Sequence, residues 1–372
     1  MASVRLSAPL IVRNEERFLE ACLASLRDAV DEIVVVDTGS TDRTREIARD
    51  FGAALHEFTW VDDFAAARNH ALDLARGEWI LYVDADERLR PGAHARLRAQ
   101  LEDASHAGYQ LLLHPRAGFT PYWELRLFRN HPLIRFKGVI HENIWPGIDA
   151  YRRAHGGRIG RSDLALDHEG YEGEQAHKHE RNLPLLERAV RDDPTRVYLW
   201  CHLASIHAAR GDGAAAEQAW TRALELSRAR AWPLPEDALP YVGLIQWRGS
   251  KPEDVDRLLA EAMTRFRDNL QLVWLCGRAL MERGRFEEAI PHFERLVQCG
   301  ETGEHDRSTA YDRRLFGVLS YDSLATCHFR LQHWAMSRRY FELAAAEAPE
   351  RLEYRVKQAL CARYEASRST AS

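Results

Sequence analysis

Apolar and polar positions follow two regimes along the chain. In the first half, short apolar runs alternate with amphipathic stretches. "RLSAPLIV" predicts a strand, and "NEERFLEACLASLRDAV" predicts a helix, with Phe18, Leu19, Cys22, Leu23 and Leu26 recurring at helical spacing. "EIVVVDTGS" is a continuous β-branched run, as in a strand buried on both faces. "TDRTREIARDFG" predicts a helix that Ser40 or Thr41 caps and Gly52 ends. "AALHEF" predicts a short strand, "DFAAARNHALDLARG" a helix closed by Gly77, and "EWILYVD" another strand. This β-α-β-α-β-α-β order predicts an open, mostly parallel sheet with helices on both faces. From about residue 109 the pattern changes to short strands, "YQLLLHP", "YWELRLFRN" and "IRFKGVIHENI", and then to Gly-rich "AHGGRIGRSD".

From about residue 176 helical periodicity takes over, and the segments resemble one another. "LASIHAARGDGAAAEQAWTRAL" sets small Ala204, Ala216 and Ala223 beside Trp220. "CGRALMERGRFEEAIPHFERL" repeats this with Gly277, Ala289 and Phe293, and "LATCHFRLQHWAMSRRYFELAAAEAP" with Ala325, Ser337, Phe341, Ala344 and Pro349. A weaker copy, "VGLIQWRGSKPEDVDRLLAEA", holds Gly243, Leu259 and Ala262. Gly243 and Gly277 stand 34 residues apart. That period, with small residues where helices cross and an aromatic wedged beside them, resembles the tetratricopeptide repeat. The first copy lacks the consensus proline and carries Arg228 instead. The expected organisation is an α/β domain over residues 1–175 and an all-α stack of helix pairs over 176–372. The concave side of the stack is a candidate partner surface, and the repeats could also join two copies in a homodimer.

Composition narrows the class. A chain of 372 residues is too long for one ordinary core, which agrees with two domains. The net charge of -5 argues against a generally basic nucleic-acid binder. The six cysteines are scattered and form no CxxC pair, as expected of buried free thiols in a reducing cytoplasm. No window approaches 18 uncharged apolar residues, so neither a signal peptide nor a membrane span is expected. There is no GxxxxGK[ST] phosphate loop, no GxSxG elbow and no GxGxxG after the first strand.

One stretch raises a chemical question. "WILYVDADERL" runs from an apolar strand straight into Asp84, Asp86 and Glu87. Two unit charges about 7 Å apart at an effective dielectric of about 20 repel by roughly 2 kcal/mol. In an extended strand Asp84 and Asp86 would face one side, with small Ala85 between them. They would lie at the carboxyl edge of an open α/β sheet, where ligands bind. Converging carboxylates there suit Mg²⁺ or Mn²⁺. The alternative reading is a solvated acidic turn.

In combination, "VVDTGSTD", "ARN" and "DADE" resemble the family-two glycosyltransferases of GT-A fold, closely over residues 4–90 and more weakly to about 170. The subset joined to tetratricopeptide repeats, the sublancin-type peptide S-glycosyltransferases, is the nearest in pattern. The resemblance implies a Rossmann-like nucleotide-sugar domain and an inverting transfer that depends on a divalent metal. It implies a UDP-linked donor held by Ile11, Arg13, Glu15, Asp37, Arg68 and Asp84. Many relatives have an aromatic where Arg13 stands, and a guanidinium could stack on the base in its place. Asp37 resembles the acid that accepts from a uracil-like base; a turn or capping Asp is the alternative. Asn69 would support the loop. The implied metal ligands are Asp84, Asp86 and His168 of "DHEGY", and an imidazole ligand favours Mn²⁺ over Mg²⁺. "AHGGRIGRSD" is a candidate lid or an ordinary loop. Inverting transfer needs a base, and Glu142 of "GVIHENI" is the residue assigned, with Asp62 or Asp63 of "WVDDF" as rivals. Arg126 and Arg129 could bind diphosphate or an anionic acceptor, or form strand-surface salt bridges. The acceptor is expected to be a peptide, a protein or a glycan, lipid-linked glycans included. An inactive repeat scaffold is the reading from another class.

Overall fold

The computed structural model describes residues 4–92, 94–115, 117–170, 175–249 and 252–369. The chain divides into two compact units, residues 1–117 with 121–199 and residues 118–120 with 200–372.

The first unit opens with strand β1 (Leu6–Val12), helix α1 (Leu19–Leu26), β2 (Glu32–Asp37), α2 (Thr44–Asp50), β3 (Ala54–Glu57), α3 (Phe64–Leu74) and β4 (Trp79–Leu81). The order β-α-β-α-β-α-β is therefore the one the apolar pattern predicts. The β1–β2, β2–β3 and β1–β4 pairs are parallel. Alternation along each strand serves two cores. Trp79 and Leu81 join Leu6, Leu10, Leu19 and Leu23 on one face of the sheet, and Ile80 packs with Leu125, Phe128, Phe136 and Ile148 on the other. That two-sided burial is why these strands read as unbroken apolar runs.

Local chemistry sets the helix boundaries. Helix α1 starts later than its periodicity suggests, because the chain first turns at Asn14 in the left-handed region (φ 57°). Helix α2 is served by Asp42, not by Ser40 or Thr41: its carboxylate accepts from the Thr44 backbone N–H at 3.0 Å. Gly52 leaves the helix at φ 71°, as expected.

The rest of the unit completes the sheet. It adds β5 (Glu87–Leu89), α4 (His94–Leu101), β6 (His106–His114), β7 (Tyr122–Arg129), α5 (Trp145–His155) and β8 (Arg158–His168). The strand order is β3-β2-β1-β4-β7-β6-β8-β5. From β4 outward the β4–β7, β6–β7 and β5–β8 pairs are antiparallel, and β6–β8 is parallel. Two expectations change here. "IRFKGVIHENI" forms no strand beyond a single Lys137–Asn143 bridge, because Gly138 (φ 101°) and His141 (φ 48°) bend it away from an extended ladder. The Gly-rich stretch is not a lid. Gly156 (φ 77°) closes α5, and from Arg158 the chain is strand, paired with β6. Helix α6 (Gln175–Asp192) follows and belongs to this first unit, since the division by compactness falls after Leu199. The last strand ends at His168, close to where strand patterning stops in the sequence.

Helix α7 (Val197–Ala209, its first residues in the first unit) leads into α8 (Gly213–Ala229), and the second unit stacks helix pairs: α9 (Leu239–Trp247) with α10 (Pro252–Arg265), α11 (Leu270–Glu282) with α12 (Phe286–Thr302), and α13 (Val318–Arg330) with α14 (Trp334–Glu347). Helix α15 (Leu352–Ser369) completes it. The small residues do what the pattern implies. A Cβ on Gly277 would stand 2.6 Å from the Phe293 ring, and one on Gly243 would stand 2.4 Å from Trp220. Arg228, at the missing proline, pairs with Glu261, which also accepts from the Tyr241 hydroxyl at 2.5 Å. Among the described residues no helix is long and apolar enough to cross a membrane.

Candidate active site

The site is built around helix α3 and the segment that packs on it. The Asp63 carboxylate caps α3 by accepting from Ala66 N–H at 2.9 Å. One turn on, Asn69 binds the Phe136 backbone twice: its amide donates to the Phe136 carbonyl (2.9 Å), and its oxygen accepts from the Phe136 N–H (2.8 Å). Phe64 N–H donates to the Val139 carbonyl at 2.9 Å. These bonds lay residues 136–142 along α3 and deliver Glu142 to Arg68. The Arg68 guanidinium donates from Nε to Glu142 Oε1 and from Nη2 to Asp84 Oδ1, the latter at 2.8 Å.

A second arginine lies beside the first. Arg126, on β7, is buried, with Nη2 2.7 Å from Glu87 and 3.0 Å from Glu124. Among the described residues its Nη1 has no hydrogen-bond partner; it lies 3.8 Å from Asp84 Oδ2. Both guanidiniums lie over the ring of Tyr82, at 4.6 Å for Arg68 and 4.4 Å for Arg126. Burial works against the charged form of Asp84, but Arg68 and then Arg126 outweigh it and hold the carboxyl below its ordinary range. Burial pushes the Glu87 carboxyl up, against the pull of Arg126. With Glu87 held toward its neutral form, two guanidinium charges thus face the carboxylates of Asp84, Glu124 and Glu142, which leaves an excess of negative charge.

Asp86 is placed by a different route from the one its spacing suggests. Strand β4 stops at Leu81, and Asp84–Asp86 form a turn closed by Glu87 N–H to the Asp84 carbonyl at 3.0 Å. Strand alternation therefore does not aim the two acids. The β5–β8 pairing sets Glu87 opposite His168, so Asp86 Oδ2 comes to 3.5 Å from His168 Nε2. The backbone at Gly170 closes over this pair, donating N–H to His168 Nδ1 at 3.3 Å. A Cβ on Gly170 would fall 1.8 Å from Asp86 Oδ2, so only glycine leaves this oxygen room. Carboxylate and imidazole together form a donor set suited to Mn²⁺. Among the described residues no group of three or more His, Cys, Asp or Glu is placed to hold a metal ion. Asp84, expected as a ligand, has its carboxylate on Arg68 and facing Arg126.

Residues 7–158 match glycosyl transferase family 2. The first unit carries a family 2 glycosyltransferase domain. A TPR repeat-containing protein of Synechococcus elongatus is 38% identical over 64% of this chain and 60% of its own length. The SPbeta prophage-derived glycosyltransferase SunS of Bacillus subtilis is 30% identical over 50% of this chain and 45% of its own. The chain thus spans less than two thirds of either relative. Among solved structures, Staphylococcus aureus TarS 1–349 in complex with UDP-GlcNAc aligns with a TM-score of 0.41 at 20% identity, over 74% of this chain and 88% of that one. Family 2 domain and helical repeats therefore stand in one chain, as the motifs imply.

The other expected residues of the family 2 domain lie near or just past the ends of β1 and β2. Ile11 lines a small cavity with Pro9, Arg68, Tyr82 and Phe136. Arg13 is exposed. Glu15 is fixed by its backbone N–H on Thr44 Oγ1 at 2.7 Å. Asp37 is buried and accepts from Gly39 and Ser40 N–H at 3.2 Å, so its carboxylate shapes the β2 turn. The rival bases are engaged: Asp63 caps α3, and Asp62 accepts from Trp60 Nε1 at 2.7 Å. Arg129 is structural. It donates to the carbonyls of His106 and Asp103 and lies 3.9 Å from the Trp79 ring centre.

Sequence reasoning missed Tyr82, Glu124 and Gly170, and the depth at which Arg126 works. Glu124 and Arg126 could have been paired in advance, since residues two apart on a strand share a face. Nothing local marks Gly170, because the oxygen it accommodates comes from 84 positions earlier.

Proposed function

We propose that the chain transfers a sugar, with inversion, from a nucleotide-sugar donor, UDP-linked in the first instance, to a peptide or protein acceptor presented by the repeats. One observation carries the reading: within a family 2 domain, Arg68 ties Glu142 to Asp84 at the carboxyl edge of the parallel strands. The Glu142 carboxylate takes the acceptor's proton as its nucleophilic atom bonds to the anomeric carbon. The bond from that carbon to the nucleotide's diphosphate breaks in the same step, and the electron pair leaves with the diphosphate. Arg13, Glu15 and Asp37 would address the base and ribose. Asp86 and His168 would hold a divalent cation, Mn²⁺ before Mg²⁺. Bound there, it would supply Lewis-acid stabilisation of the departing diphosphate. The excess of carboxylate over guanidinium charge in the neighbouring cluster suits such an ion.

The test is nucleotide release across a panel of UDP- and GDP-sugars with and without Mn²⁺. Release should require the metal, vanish in Asp86→Ala, and fall at least about 100-fold in Glu142→Gln. No turnover with any donor would favour a scaffold without catalysis.

A further inference from the structure

We propose that Arg68 is a positioning residue that sets Glu142 against the donor side of the site; the inference rests on Glu142 being the base. Nε–H and one Nη2–H project from the same edge of a planar guanidinium, a fork that normally grips one carboxylate or phosphate with two parallel bonds. Here that edge is divided, Nε to Glu142 and Nη2 to Asp84. An arginine serving the diphosphate through this edge would present it to the ligand. In this chain the edge is taken up by two of the protein's own acids.

The division is held firmly. The guanidinium lies over Tyr82 and 5.7 Å from the Phe136 ring centre, and the side chain is only 11% exposed. It cannot turn without leaving both rings and both carboxylates. The backbone bonds from Asn69 and Phe64 bring residues 136–139 to α3, and the Arg68 fork fixes the last step, the Glu142 carboxylate. Any movement of Asp84 is passed through one rigid plane to Glu142, so the acid on the donor side and the base are mechanically joined.

The experiment is a double-mutant cycle on the full chain. Turnover is nucleotide release from the donor selected by the panel above, with Mn²⁺, and binding is titration with UDP. Arg68→Lys keeps the charge and loses the fork. It should lower kcat about 30-fold while KM and the UDP dissociation constant stay within about threefold. Arg68→Lys added to Glu142→Gln should cost nothing further. Glu142→Asp draws the carboxylate back from the fork and should match the Arg68→Lys loss in kcat, which covers the case of a poorly folded Arg68→Lys. Independent, multiplying losses overturn the inference while leaving Glu142 as the base. So does weaker UDP binding with kcat intact, or wild-type kcat in Glu142→Asp. Wild-type turnover in Glu142→Gln removes the base assignment and this inference with it.

Discussion

Gly170 is a residue whose absent side chain does the positioning. Gly170→Ala must displace Asp86 Oδ2, with which a Cβ would overlap. The Mn²⁺ dissociation constant, measured by paramagnetic resonance, should rise at least about tenfold while the melting temperature shifts by only a few degrees. Unchanged Mn²⁺ affinity would sever Asp86 from metal binding. His141, next to Glu142, makes a different prediction. Burial, reinforced by Arg196, holds its pKa down to about 4, against 6.5 ordinarily. The unfolded chain thus binds a proton that the folded chain refuses. The contribution of His141 to stability is complete above about pH 6.5 and is lost as pH falls toward 4, with a full span on the order of 3 kcal/mol. Asn tolerates the left-handed backbone at this position, so His141→Asn should fold. It should lose about 2 kcal/mol less than wild type between pH 7 and pH 5 in urea titrations.

At the scale of elements, α3 carries the site, and its cap is the lever. Asp63→Ala removes the bond to Ala66 N–H and should cost about 1 kcal/mol in denaturant unfolding; Asp63→Ser should recover most of it. The strands around α3 were legible because two-sided burial leaves almost no polar residue inside the runs, Ser7 of β1 being buried on Glu32. The segment 134–144 was not. "IRFKGVI" has strand composition, yet its backbone is bent by left-handed Gly138 and His141 and held by Asn69 from outside the segment. Helix α5 escaped notice although Pro146 sits in its first turn and Gly156 just past its end, the usual punctuation of a helix. For the charged cluster, the residue types could be read but not their pairing. Arg68, Asp84, Arg126 and Glu142 come from α3, a turn, β7 and a loop, and only the fold decides which acid faces which arginine.

At the scale of the molecule, the two compact units predict two unfolding events. A Cβ on Gly277 overlaps Phe293, so Gly277→Ala should lower the helical unit's transition by about 1–3 kcal/mol in calorimetry and leave the family 2 domain's transition in place. A single transition that shifts as a whole would show the units to be one cooperative block. Within the first unit, the β4–β7 pairing is the seam where strand direction reverses, and the charged cluster straddles it. A polypeptide cut near residue 105 would retain the parallel strands β1–β4, and with them the whole of residues 4–90, the stretch that most closely resembles family-two enzymes. It would lack Arg126, Glu142 and His168. Such a fragment should be chemically inert alone, and mixing it with the complementary piece should restore turnover only if the antiparallel edge re-forms. The recognisable part of the family 2 domain and the part that completes its charged cluster are therefore not the same length of chain.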